Sequence, residues 1–280
     1  MAAYRASFIK VPTHATNGIQ TMPVEPHNRL KDSDISLSLC TSADAPSIAS
    51  HMYATFPAAF WDKMEPLKLR HPDQPTRERR LATRLLPTFS NPNMKFVKAV
   101  HVPSGRTVGI AGWAAPGLPV HNVWRRDAVE FYGYKEIMGW SGEDVEEMWE
   151  GTSVEAWDGN FGSCDKIRAN LMGDEPHWFL APLMTWPDFQ GRGVGSKLLN
   201  WAIVQADACD PPTPLYLESA PTARAVYMHC GFVPQGPVNF VRRGPAIVRG
   251  LEAEAKEKEI KVEKVNVESV EKEVDAVLAS

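Results

Sequence analysis

The sequence predicts a mixed α/β domain built around one sheet, and three observations lead there. Short apolar runs of strand character alternate with segments whose apolar residues recur at helical spacing. A glycine-rich turn, Gln190-Gly191-Arg192-Gly193-Val194-Gly195, joins one such run, Trp178 to Met184, to an amphipathic helix over Lys197 to Val204. A second strand-then-helix unit follows it, Pro214 to Ser219 and then Thr222 to Gly231.

Taken in order, residues 1–34 carry scattered prolines without periodicity and read as an irregular arm. Ile35 to Leu39 alternates apolar and polar residues, as a half-buried strand does. Thr41 to Pro46 has the signature of a helix start, with Ile48, Met52 and Phe56 following on one face. Arg77 to Leu86 is a charged amphipathic helix with Leu81, Leu85 and Leu86 inward. Met94 to Val102 and Thr107 to Trp113, joined by Pro103-Ser104-Gly105, form a hairpin. Residues 116–177 are a long insertion holding Trp124, Trp140, Trp149 and Trp157 with several acidic residues. Two readings of it stay open: a helical layer whose tryptophans pack on the domain, or a lid that shapes an acceptor pocket. Val238 to Arg242 is a candidate closing strand, the domain runs over 35–245, and residues 246–280 form a Glu/Lys-rich tail read as solvated helix or disorder.

Composition narrows the functional classes. At 280 residues and 44% hydrophobic, the chain can bury a substantial core. No apolar run reaches the roughly 20 residues of a membrane span, and the first residues lead into no signal-peptide core, so no membrane partner and a cytoplasmic location are expected. A net charge of −4 without a dense Lys/Arg block argues against nucleic-acid binding. Cys40, Cys164, Cys209 and Cys230 lie far apart without zinc-site spacing, so no metal is expected.

The glycine turn reads as an anion cradle, because such a turn exposes successive backbone N–H groups and the helix start behind it leaves its first N–H groups unpaired at the positive end of the dipole. Its G-x-G-x-G spacing is one residue short of the dinucleotide fingerprint, and Ser196 separates Gly195 from Lys197, which breaks the P-loop pattern. The pattern Gln-x-x-Gly-x-Gly, with Pro187 upstream, Leu198-Leu199 downstream and Tyr227 followed by Gly231-Phe232, resembles the acetyl-CoA loop and Y-x-x-x-G-F signature of the GNAT N-acetyltransferase superfamily.

That resemblance covers roughly residues 35–245. It implies a central, twisted, mostly antiparallel sheet flanked by helices, and acetyl-CoA as co-substrate for direct acetyl transfer to a primary amine, with a small-molecule acceptor favoured. It places Gln190, Gly191, Arg192, Gly193, Val194, Gly195 and Ser196 at the pyrophosphate. Met184 and Thr185 line the pantetheine arm, and Tyr227 is the proton donor to the leaving thiolate. Glu218, His177 and Glu175 are candidate bases by position alone. Ala220 stands where the family often has an asparagine, which puts one cofactor contact in doubt. A protein or peptide acceptor, a CoA-binding module without turnover and a protein-interaction module remain as alternatives.

Overall fold

The computed structural model describes residues 28–220 and 223–257, with backbone alone at Ala225 and over 251–257. The expectations for residues 1–27 and for the valine-bearing tail beyond 257 lie outside the described residues.

The chain opens with strand β1, Ile35–Leu39, and helices α1, Ala45–Thr55, and α2, Ala58–Met64. Helix α1 starts where the sequence places it. The Thr41 N–H donates to Asp44 Oδ2 at 2.7 Å, Pro46 sits in the first turn, and Ile48 and Met52 are buried. The next helix, α3, spans Gln74–Ser90, longer at both ends than its charged centre suggests. Asp73 caps it by accepting the Thr76 N–H, and Leu81 and Leu85 are buried. The hairpin follows as β2, Met94–His101, and β3, Arg106–Ala114.

Residues between β3 and the next strand fold into four helices: α4, Ala128–Phe131; α5, Tyr134–Met138; α6, Gly142–Trp149; and α7, Val154–Met172. Their tryptophans turn inward: Trp124, Trp149 and Trp157 are buried, and Trp140 packs against the same core. Then come β4, Trp178–Thr185; α8, Val194–Asp207; β5, Leu215–Glu218; α9, Arg224–His229; β6, Val233–Pro234; β7, Asn239–Arg242; and α10, Gly244–Glu257.

The seven strands of the described residues form one sheet in the order β1-β2-β3-β4-β5-β7-β6, antiparallel throughout except for the parallel pair β4–β5. β7 lies inside the sheet, and the two-residue β6, too short for any periodicity, forms its edge. A separate apolar core covers each face. On one, α1, α3 and the inserted helices pack over Ile110, Phe179, Met184 and Tyr216. On the other, Val194, Leu198, Leu199, Ala202 and Ile203 of α8 pack over Val108, Trp113, Leu180, Leu215 and Leu217. The tail is anchored at its start, where Val248 of α10 is buried.

Candidate functional site

The site begins with a break in the sheet. Trp178, Phe179 and Leu180 of β4 pair in parallel with Leu215, Tyr216 and Leu217 of β5, and the pairing stops there. The next residues, Ala181 and Pro182, shift the β3–β4 register: Trp113 faces Leu180, whereas Ala111 faces Leu183. Pro182 has no N–H to give a neighbouring strand, so a bulge forms at this point. Gly112 makes room for it, since a Cβ there would lie 2.5 Å from the Ala181 carbonyl oxygen. Leu183, Met184 and Thr185 then pair with Ala111, Ile110 and Gly109 of β3 alone. A gap therefore opens between β4 and β5, bordered by the backbone of Met184 and Thr185.

The glycine turn stands at the end of that strand. A 3-10 turn, Pro187–Phe189, leads into Gln190, whose Nε2 donates to the Thr185 carbonyl at 3.1 Å and ties the turn to β4. Gly191 and Gly193 take φ of +68° and +87°, a left-handed region in which a side chain is strained. Helix α8 begins at Val194, which is buried, with Gly195 and Ser196 in its first turn. Among the described residues, no acceptor takes the backbone N–H groups of Gly191 to Ser196. These amides lie at the N-terminus of α8, the positive end of its dipole.

Charge near the turn is already partly committed. Arg192 lies over the Phe189 ring at 5.0 Å, and Lys197 Nζ pairs with Asp32 Oδ1 at 3.0 Å. Residues just before β1 clasp the turn: the Leu30 N–H donates to the Arg192 carbonyl at 3.1 Å, and Arg29 lies beside Gly193.

Two titratable groups lie on opposite faces of the sheet, Glu218 next to the gap and Tyr227 in the core under α8. Glu218 ends β5 one residue beyond the last one paired with β4. Strand alternation puts it on the face of Tyr216, under α7, while Leu215 and Leu217 face α8. Its Oε1 is buried without a hydrogen-bond partner among the described residues. Burial pushes its pKa up to about 7, against the opposing pull of the Tyr216 hydroxyl and the Arg168 guanidinium. Arg168, on α7, is buried, lies 3.7 Å over the Phe179 ring and donates to Asp165 Oδ1 at 3.1 Å.

Tyr227 of α9 lies on the α8 face, in the core with Phe232 and Phe240, at ring separations of 6.0 and 6.3 Å. Burial raises its pKa, so it stays a phenol across the physiological range. The other two carboxylate and imidazole candidates are engaged elsewhere. Glu175 pairs with Arg243 at 2.7 Å, and His177 Nδ1 lies 2.7 Å from the Glu175 carbonyl.

No group of three or more His, Cys, Asp or Glu among the described residues is arranged to hold a metal, and all four cysteines are free thiols. No described helix is long and apolar enough to cross a membrane.

Residues 158–234, from the second turn of α7 to β6, match the model of the acetyltransferase (GNAT) domain. Among the curated proteins, none matches. Solved structures are similar at low identity. One described as histone acetyltransferase HPA2 and related acetyltransferase, from Corynebacterium glutamicum, is 21% identical over 76% of this chain and 97% of that one, with a TM-score of 0.46. An N-acetyltransferase of Staphylococcus aureus is 14% identical over 74% and 97%, with a TM-score of 0.44. A GNAT family acetyltransferase of Brucella melitensis, in complex with acetyl-CoA, is 13% identical over 75% and 89%, with a TM-score of 0.38.

Proposed function

We propose that this chain, which carries a GNAT acetyltransferase domain over residues 158–234, transfers an acetyl group from acetyl-CoA to the primary amine of a small molecule. The observation that carries the reading is that amides of Gly191 to Ser196 with no acceptor among the described residues follow directly on a strand that parts from β5, with Glu218 at the end of β5 and Tyr227 on the other face of the sheet. The amides of Gly191 to Ser196 hold the diphosphate, and Met184 and Thr185 offer main-chain groups to the pantetheine arm. Arg192 adds positive charge at the edge of that cradle.

Acetyl-CoA supplies an activated acyl thioester. The chain supplies position and proton traffic. Glu218 takes a proton from the acceptor's ammonium group and so exposes the lone pair that forms the new C–N bond. Tyr227 gives its phenolic proton to the sulfur as the C–S bond breaks, the proton set free on acylation of the nitrogen passes to solvent, and Glu218 then loses and Tyr227 regains a proton by exchange with solvent, which leaves one proton released per turnover. No covalent bond to the enzyme forms. A carboxyl group poised near pH 7 suits the first task, because it is substantially ionised at neutral pH while still basic enough to hold the proton it removes.

A compact acceptor is favoured because Glu218 lies beside Cys164 and Arg168 of α7 and not on an open face. The test is a thiol-release assay over arylalkylamines, polyamines, aminoglycosides and peptides with free N-termini, run alongside acetyl-CoA titration calorimetry. Thiol release with one or more of the small amines is the expected result. Release only with peptides reverses the acceptor assignment. Acetyl-CoA binding without release for any amine favours a binding module, and no binding ends the reading.

A further inference from the structure

The inserted helices and α3 enclose a cavity of about 20 Å³, room for a guest the size of one water molecule or one halide ion. All four tryptophans of the insertion line it, together with Arg84 of α3 and Arg125. Its wall is chemically one-sided. Arg84 Nε and Nη1, Arg125 Nε, Trp149 Nε1 and Trp157 Nε1 are all buried without a hydrogen-bond partner among the described residues. Each of these five atoms is a donor only. No buried, unpartnered acceptor among the described residues belongs to a side chain lining this cavity.

Charge points the same way. The Arg84 side chain is 6% exposed and lies over the Trp149 and Trp157 rings, at 4.6 and 5.1 Å from their centroids. Its carboxylate neighbour, Glu65, is 4.0 Å away and already bonded by Arg77 at 2.6 Å and by the Tyr53 hydroxyl at 2.5 Å. Two guanidinium groups thus share one buried carboxylate, which leaves one positive charge uncompensated beside the cavity. Burying such a charge without a counterpart is costly, and native cores rarely leave several donors unmet in one place.

We propose that this cavity is a binding site for a single halide-sized anion, chloride under ordinary conditions, which takes hydrogen bonds from Arg84 and the indole N–H groups and pins α6 and α7 to α3. The site is remote from the glycine turn and does not depend on the acetyl-transfer reading.

Thermal unfolding of the full chain in sodium chloride, sodium bromide or sodium gluconate at equal ionic strength is the test. The unfolding midpoint should rise with chloride or bromide concentration and stay flat when gluconate, too large for the cavity, replaces them. Arg84→Met, close in volume and apolar, should abolish the halide dependence. Trp157→Phe should weaken halide binding about tenfold, the loss of one hydrogen bond to a charged partner. Crystals grown with bromide should show anomalous density between Arg84 and Trp157, which decides the matter if either variant fails to fold. Equal midpoints in all three salts, a halide response that survives in Arg84→Met, or no bromide density would overturn the proposal and leave the cavity to water.

Discussion

Glu218 and Tyr227 divide the chemistry at the level of single side chains, and their burial makes the division testable. For Glu218→Gln the expected loss in kcat is on the order of 10²–10⁴-fold, the usual worth of general base catalysis. In the wild type, kcat/KM should rise with pH through about 7, where Glu218 loses its proton, and the variant should lose that limb of the profile. The same shift has a stability signature of definite sign. The folded carboxyl keeps its proton up to about pH 7, while the unfolded one releases it near its ordinary value of 4.5. The folded state therefore holds the extra proton between these values, and stability falls as pH rises through that window. Urea unfolding at pH 8 should find Glu218→Gln more stable than wild type by about 3 kcal/mol, with the difference gone by pH 4. Tyr227→Phe should lower kcat at least tenfold and leave the acetyl-CoA dissociation constant unchanged, because the ring still fills its place between Phe232 and Phe240. Equal kcat for both proteins would remove Tyr227 from the chemistry. Sequence position alone put Glu218, His177 and Glu175 on one footing. What separates them is desolvation and the partners each has found, and neither can be read from spacing.

The turn between β4 and α8 was legible as an element because its signal is local: glycines where φ is positive, an apolar strand before it and an amphipathic helix behind. Pro182 sits at the bulge for an equally local reason, since a residue without an N–H interrupts a ladder wherever it stands. The clasp by Arg29, Leu30 and Asp32 was not legible, because it joins residues more than 160 positions apart through contacts with no periodicity. The edge strand β6 and the extra turns of α3 escaped for the complementary reason, one too short to show a period and the other set by its Asp73 cap and tertiary packing. Gly193→Glu tests the turn as a unit. The substitution adds a side chain at φ +87° against Arg29 and puts a carboxylate beside the amides of the turn. Calorimetric acetyl-CoA binding should fall at least a hundredfold while far-ultraviolet circular dichroism stays that of the wild type. Retained binding would show that residues 191–196 do not hold the diphosphate.

At the scale of the whole molecule, one sheet carries two apolar cores, and the inserted helices belong to one of them. Trp157 is buried among Phe60, Trp149 and Phe161, so the helical layer and the sheet share side chains instead of meeting at a polar seam. The composition of the insertion left both packing layer and lid open, because tryptophan suits both a core and a pocket wall, and only the inward direction of the side chains distinguishes them. A shared core has a cooperative consequence. The chain has nine tryptophans, four of them in the insertion, so indole fluorescence reports strongly on that layer, whereas far-ultraviolet circular dichroism reports on every helix and strand. If sheet and layer form one cooperative unit, both signals should follow one urea transition. Leu198→Ala, on the opposite face under α8, should lower the stability read by both by about 2–5 kcal/mol, as loss of a fully buried leucine does. Val204→Ala, on the same helix but 46% exposed, should cost less than about 0.5 kcal/mol. A fluorescence transition that stays in place while the circular dichroism transition moves would mean that the layer unfolds independently, and that its burial of Trp157 contributes nothing to holding the β4–β5 gap in shape.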